Sequence, residues 1–214
     1  MHNPHLPPPP RLDAGVLAGV VAWRLVVAAC AFTGFGAAFA MMSDPWPALS
    51  QQASLFTGLV YLGLALYPLF TGGRTHEPAS PWLRGAVCVL LLLVAITYQM
   101  LMGGDVDDTY SLFEHVITPL VVLADWVLVG RSQARVRWWH PVSWLVFPLA
   151  YLVYFMAATP PLYGGFLDPD SSVFGGMVMF FALAALATGY LLYGIAKVKA
   201  LQWQVAQVAP EVHG

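Results

Sequence analysis

Residues 83–103 read LRGAVCVLLLLVAITYQMLMG, and this stretch decides the fold. After Arg84 no charged residue follows until Asp105. About 20 apolar residues at 1.5 Å rise each cover the ~30 Å hydrocarbon core of a bilayer. Five further runs of this kind lie at 14–42, 50–71, 110–130, 141–159 and 172–197. Lipid cannot satisfy open backbone groups, so such runs must be helices or strands of a closed barrel. A barrel needs ~10-residue segments alternating polar and apolar, and none is present. The expected fold is all-α: a six-helix transmembrane bundle over 14–199. A Pro-rich tail, 1–13, and a C-terminal tail, 200–214, flank it.

Charge placement supports six spans rather than five or seven. All nine Lys and Arg residues fall on one side. Arg11 and Arg24 lie at the amino-terminal side, Arg74 and Arg84 bracket the second loop, and Arg131, Arg135 and Arg137 fill the fourth. Lys197 and Lys199 follow the last span. The first, third and fifth loops carry Asp44, Asp105, Asp107, Asp108, Asp168 and Asp170 instead. By the positive-inside rule both termini are expected in the cytoplasm, in a multi-pass protein of a bacterial plasma membrane. Trp46, Trp82, Trp126, Trp138, Trp139, Trp144 and Trp203 read as an interfacial aromatic belt.

The 214 residues are 59% hydrophobic and 9% charged, against about 25% charged in soluble domains. No basic patch for nucleic acid exists beyond the short loops. The two cysteines, Cys30 and Cys88, fall inside the first and third spans and read as buried thiols, not as a disulfide. His2 to Pro10 is expected to be disordered. The first apolar run is too long for a signal peptide and carries Arg24, so an uncleaved span is expected. Pro119 and Pro148 should bend the fourth and fifth spans. No cluster of His, Cys and carboxylate has metal-ligand spacing, and no cofactor is expected.

Within a bilayer polar side chains are costly, so the few present carry information. The second span holds Ser50, Ser54, Thr57 and Tyr61 in a stripe about 60° wide. The fourth holds Ser111, Glu114, His115, Thr118 and Asp125 in a stripe about 100° wide. Two such stripes should face each other or a shared cavity. Counting from the outer ends puts Thr57 roughly 10 Å deep and His115 roughly 8 Å deep. Tyr98, Gln99, Tyr151 and Tyr154 fall in the same layer. Arg24 and Asp125 fall in the inner half, where they are expected to pair.

Several fragments resemble one family. They are Leu55-Phe56-Thr57, then Glu114-His115-Val116-Ile117-Thr118-Pro119-Leu120 continuing to Asp125-Trp126, then Phe147-Pro148-Leu149-Ala150-Tyr151, and Gly165-Phe166-Leu167-Asp168. The chain resembles the androgen-induced-protein family of six-span membrane proteins and its bacterial relatives, over most of its length. The resemblance implies a threonine hydrolase of lipid esters, such as fatty acid esters of hydroxy fatty acids. It places the nucleophile on Thr57 and the base on His115. A Thr hydroxyl is a weak nucleophile and needs such a base within hydrogen-bond reach. Ser54, Tyr61, Tyr98, Gln99, Thr118, Tyr151 and Tyr154 are candidates for the substrate pocket or oxyanion donor. The residues leave two other functions open: a non-catalytic lipid-binding or transport protein, and a proton-coupled carrier. The partners expected are the bilayer and a lipid or fatty-acid ester, with oligomeric state left open.

Overall fold

The computed structural model describes residues 12–158 and 161–208. The Pro-rich start with Arg11, and the last six residues, lie outside that range. Every regular element among the described residues is helical. Six stretches are long and apolar enough to cross a membrane, so the protein is a polytopic helical bundle. The spans are α1 (Ala14–Met41), α2 (Leu49–Phe70), α3 (Trp82–Leu101), a fourth made of α4 (Thr109–Leu112) and α5 (Thr118–Leu128), a fifth made of α6 (His140–Ser143) and α7 (Val146–Ala158), and α8 (Phe174–Val208). The last helix thus runs on through residues expected to form a tail.

Local sequence explains the ends and breaks. Asp13 caps α1: its Oδ1 accepts from the amides of Gly15 (2.9 Å) and Val16 (3.1 Å). Pro119 lacks the N–H that would bond the His115 carbonyl four residues back. The turn before it widens into a π-turn at Phe113–Ile117, closed by the Thr118 amide reaching the Phe113 carbonyl. Glu114 and His115 sit on that turn. Pro148 acts likewise in the fifth span. Its partner four residues back is Trp144, and the helix is interrupted there between α6 and α7.

Helix α3 is the axis of the bundle. It touches α2, α5, α7, α8 and the π-turn, and is buried almost without a break from Arg84 to Leu91. Gly85 lets the Trp144 indole lie against its backbone, where a Cβ would overlap the ring. Trp144 meets Trp126 edge-on, with centroids 6.0 Å apart. Both indoles are buried in the core, so these two do not belong to the expected aromatic belt. The Trp126 indole N–H finds the Leu192 carbonyl of α8 at 3.2 Å, which accounts for its interior position. Cys30 and Cys88 are free thiols.

Candidate functional site

The two polar stripes meet, but they divide into two sites at different depths. Toward the acidic end, Gln51 of α2 donates from Nε2 to Glu114 Oε2 at 2.7 Å. Toward the basic end, Tyr61 of α2 donates to Asp125 Oδ2 at 3.0 Å. Between them Thr57 makes neither kind of contact.

The basic-end site is a charged cluster. Arg84 reaches Asp125 Oδ2 through Nε at 2.9 Å and Nη2 at 2.6 Å, and Glu77 Oε2 through Nη1 at 2.8 Å. Its Nη2 also meets the carbonyls of Asp125 and Val129, both at 2.8 Å, which closes the end of α5. The expected Arg24–Asp125 pair does not form. Asp125 is taken by Arg84, which approaches along the neighbouring α3. Arg24 instead donates from Nη1 to the carbonyls of Leu64 and His76, and its Nη2 lies 3.8 Å from Glu77. Two guanidinium groups and two carboxylates therefore balance one another, as buried charges require.

Glu77 is the hub that sequence reasoning missed. Its carboxylate accepts from the amides of Arg131 (2.6 Å) and Ser132 (2.9 Å) and from the Ser132 hydroxyl (2.9 Å). It thereby ties the 71–81 loop to the 129–139 loop. Burial pushes the Glu77 carboxyl up, but the Arg131 amide, Arg84 and Ser132 outweigh it and hold the group below its ordinary range. Burial holds the neighbouring His76 below its usual value, with Arg24 and Arg84 acting in the same sense. Gly130 has φ +78°, and a Cβ there would run into the Glu77 carboxylate. The available signal was one acid alone in a loop of the basic side.

The acidic-end site is a cavity of about 240 Å³. Its walls are mostly apolar, from Leu93 and Val94 of α3, Leu145 and Leu149 of the fifth span, and Val178 and Phe181 of α8. Polar residues break this lining: Asp44 ahead of α2, Ser50 and Gln51 of α2, Thr97 and Tyr98 of α3, Tyr110 of α4, His115 of the π-turn, and Tyr151 and Tyr163. A second hollow beside it shares Leu49 and Tyr151 and takes in Tyr154.

His115 is packed against one tyrosine. Its ring stacks on Tyr98 with centroids 3.7 Å apart and planes within 3°. The Ser111 hydroxyl fixes Tyr98 in turn, lying 2.7 Å from the Tyr98 oxygen and 2.6 Å from the Asp105 carbonyl. His115 is 7% exposed, and its Nδ1 has no hydrogen-bond partner. The Oε1 of Gln51 is equally unpartnered. Gly34 of α1 makes room for this arrangement: a Cβ would come within 2.7 Å of Glu114 Cγ.

Thr57 stands apart. Its hydroxyl donates to the Ala53 carbonyl at 2.7 Å, the common bond of a Thr within a helix. It is fully buried, is not hydrogen-bonded to His115, and does not line the cavity. Of the other pocket candidates, Tyr98 and Tyr151 line the cavity and Tyr154 lines the hollow beside it. Ser54 and Thr118 are buried away from it, Gln99 is exposed, and Tyr61 belongs to the charged cluster. Gln51 lines the cavity without having been among the sequence-based candidates, as do Asp44, Ser50, Thr97, Tyr110 and Tyr163; it lies about 100° round α2 from Ser50, off the polar stripe, so the stripe gave no signal for it. Among the described residues no group of His, Cys, Asp or Glu is arranged to hold a metal. Comparison with protein-family models, curated proteins and solved structures finds no match.

Proposed function

We propose that this chain is a membrane protein that takes an acyl lipid from the bilayer into the acidic-end cavity. The basic end and both termini then face the cytoplasm, which sets the cavity in the outer leaflet. One observation carries the reading: an apolar cavity inside the bundle with a small set of hydrogen-bonding groups gathered on its wall. That combination suits a long hydrocarbon tail with one polar junction.

Hydrolysis of an ester in that lipid by Thr57 and His115 is the second reading. The imidazole on the cavity wall, stacked on Tyr98 and with an unpartnered Nδ1, favours it. The chemistry asks Thr57 to release the Ala53 carbonyl and its segment of α2 to turn toward the cavity. His115 would take the proton of the Thr57 hydroxyl as its oxygen attacks the ester carbonyl and would give it to the leaving alkoxide as the acyl–oxygen bond breaks; water, deprotonated by His115, would then cleave the Thr57 acyl ester and release the acid.

Native mass spectrometry and fluorophosphonate labelling of the purified protein test both readings together. Lipid adducts on the wild type that vanish in Ala182→Trp, which fills the cavity, support binding. Labelling that vanishes in Thr57→Ala adds hydrolysis. Adducts without labelling leave a binding protein. A wild type that retains no lipid and accepts no probe overturns both readings.

A further inference from the structure

The basic end carries charge of two kinds. Arg24 and Arg84 are buried and balanced by Glu77 and Asp125. Arg131, Arg135, Arg137, Lys197 and Lys199 form no ion pair among the described residues. Two of these spend their donors on backbone carbonyls. Lys197 donates to Ala134 (3.2 Å) and Val136 (2.7 Å), and Arg135 donates to Ala79 (3.3 Å). Arg131 and Lys199 are held differently. The Arg131 guanidinium has no hydrogen-bond acceptor among the described residues; only its backbone amide is bonded. Lys199 Nζ has the Gly130 carbonyl alone, at 3.3 Å.

These two cations nevertheless gather on one side chain. The guanidinium carbon of Arg131 lies 5.5 Å from the centre of the half-buried Trp203 ring, and Lys199 Nζ lies 4.9 Å from it. The two charges are therefore within about 10 Å of each other, the Debye length at 0.1 M salt. The pair is also anchored from behind. Glu77 accepts from the Arg131 amide at 2.6 Å, and Gly130, at φ +78°, turns the chain into that contact. Like charges gathered with no acid beside them repel, and an anion set against both removes the repulsion. The depth suits a headgroup. Lys199 lies roughly 38 Å along α8 from its start at Phe174, past the ~30 Å hydrocarbon core and within the ~40–45 Å that includes headgroups. Leu128, the last residue of α5 and close to Gly130 in the chain, is 73% exposed and supplies apolar surface for an acyl chain.

We infer that Arg131 and Lys199, gathered on Trp203, are a site for the phosphate of an anionic glycerophospholipid in the leaflet at the basic end. The occupant is a membrane lipid rather than a free phosphate, because the cations stand at headgroup depth with an exposed leucine nearby. Trp203 suits the same layer, since an indole is at home between headgroups and chains. The site lies at the opposite end of the bundle from the acidic-end cavity, and neither requires the other.

The experiment is native mass spectrometry of the purified full-length protein in a non-ionic detergent, with dioleoylphosphatidylglycerol and dioleoylphosphatidylcholine supplied in equal amounts. The two lipids share their chains and differ in headgroup charge. The wild type is expected to retain the anionic lipid about 10-fold more than the neutral one. Arg131→Gln and Lys199→Gln should each lower that preference about 5-fold, the weight of one cation near an anionic surface. Lys199→Arg keeps the charge and should preserve it. Arg137→Gln removes the same charge from the same loop but outside the pair, and should leave the preference nearly unchanged. Retention of phosphatidylcholine by each variant checks that it is folded, and the wild-type comparison depends on no variant. Equal retention of the two lipids by the wild type overturns the site. A loss in Arg137→Gln as large as in Arg131→Gln also overturns it, because the diffuse field of the basic face then accounts for the preference. Glycerophosphoglycerol, the same headgroup without chains, should not displace the lipid at equal concentration; displacement would assign the cations to a soluble phosphate and overturn the lipid as occupant.

Discussion

Removing Arg84 should unfold the basic end of the bundle, and removing Asp125 with it should restore part of the loss. Asp125 is fully buried and Arg84 is 2% exposed. Arg84→Leu leaves the carboxylate with only the Tyr61 hydroxyl at 3.0 Å. It also strips the carbonyls of Asp125 and Val129 of their donor. Breaking a buried pair by removing one partner costs about 3–5 kcal/mol, and this variant should fall at the upper end. Asp125→Leu should cost less, because Arg84 keeps Glu77 at 2.8 Å and the Val129 carbonyl. The double variant removes both charges and should be less destabilised than the sum of the singles by about 1–3 kcal/mol.

The assay is unfolding in mixed micelles titrated with dodecyl sulfate, followed by tryptophan fluorescence and by circular dichroism. The free energies count only where the two signals coincide. The same cycle with Arg24 in place of Arg84 should give a smaller coupling, since Arg24 reaches Asp125 only through the field of the cluster. An additive Arg84/Asp125 cycle, an Arg84→Leu cost below about 1 kcal/mol, or a larger coupling for Arg24 would refute the assignment of Asp125 to Arg84.

Three further outcomes follow from the geometry. Because the folded protein holds the Glu77 carboxyl below its ordinary value, its contribution is complete above about pH 4.3 and is lost as pH falls through the folded value; Glu77→Gln should flatten the acid limb of a stability–pH profile, and an unchanged limb would remove Glu77 as its cause. Gly34→Val should destabilise the bundle by about 1–3 kcal/mol, since a Cβ already meets Glu114 Cγ at 2.7 Å and Phe113 Cβ at 3.2 Å, whereas Gly36→Val, with open space around it, should be nearly neutral; equal effects in the same unfolding assay would count against this packing. A cysteine placed at Asp107 should react with an impermeant maleimide on intact cells and one placed at Arg135 only after lysis, and the reverse pattern would invert the orientation.

The spans were legible because lipid imposes one simple demand on the chain, about 20 apolar residues per crossing, and loops 71–81 and 129–139 then sort the charges. The proline effects were legible for a similar reason. The missing N–H of Pro119 acts on a residue four places back, wherever the helix lies. Pairing was not legible, because it depends on rotation about helix axes that hydropathy does not encode. Arg24 and Asp125 fall at comparable depth, yet Arg84 wins Asp125 because α3 is the central helix and presents a guanidinium whose planar fork can take the carboxylate and the end of α5 together. Trp126 and Trp144 looked interfacial by position along their spans, but Gly85 opens a place for one indole and the Leu192 carbonyl satisfies the other.

The polar stripe on α2 shows most clearly why depth alone cannot define a site. Gln51 and Tyr61 sit near opposite ends of α2 and find acids of the fourth span, Glu114 and Asp125, which separates a cavity wall from a charged clamp. Thr57 lies between these anchors. With α2 held at both ends, its hydroxyl is left to its own backbone. Any chemistry at Thr57 must therefore disturb α2 between two fixed points, while residues of the helix start line the cavity without any rearrangement. The same constraint makes binding in the cavity separable from hydrolysis at Thr57, because the first turn of α2, which lines the cavity, lies about two helical turns from the Thr57 hydroxyl.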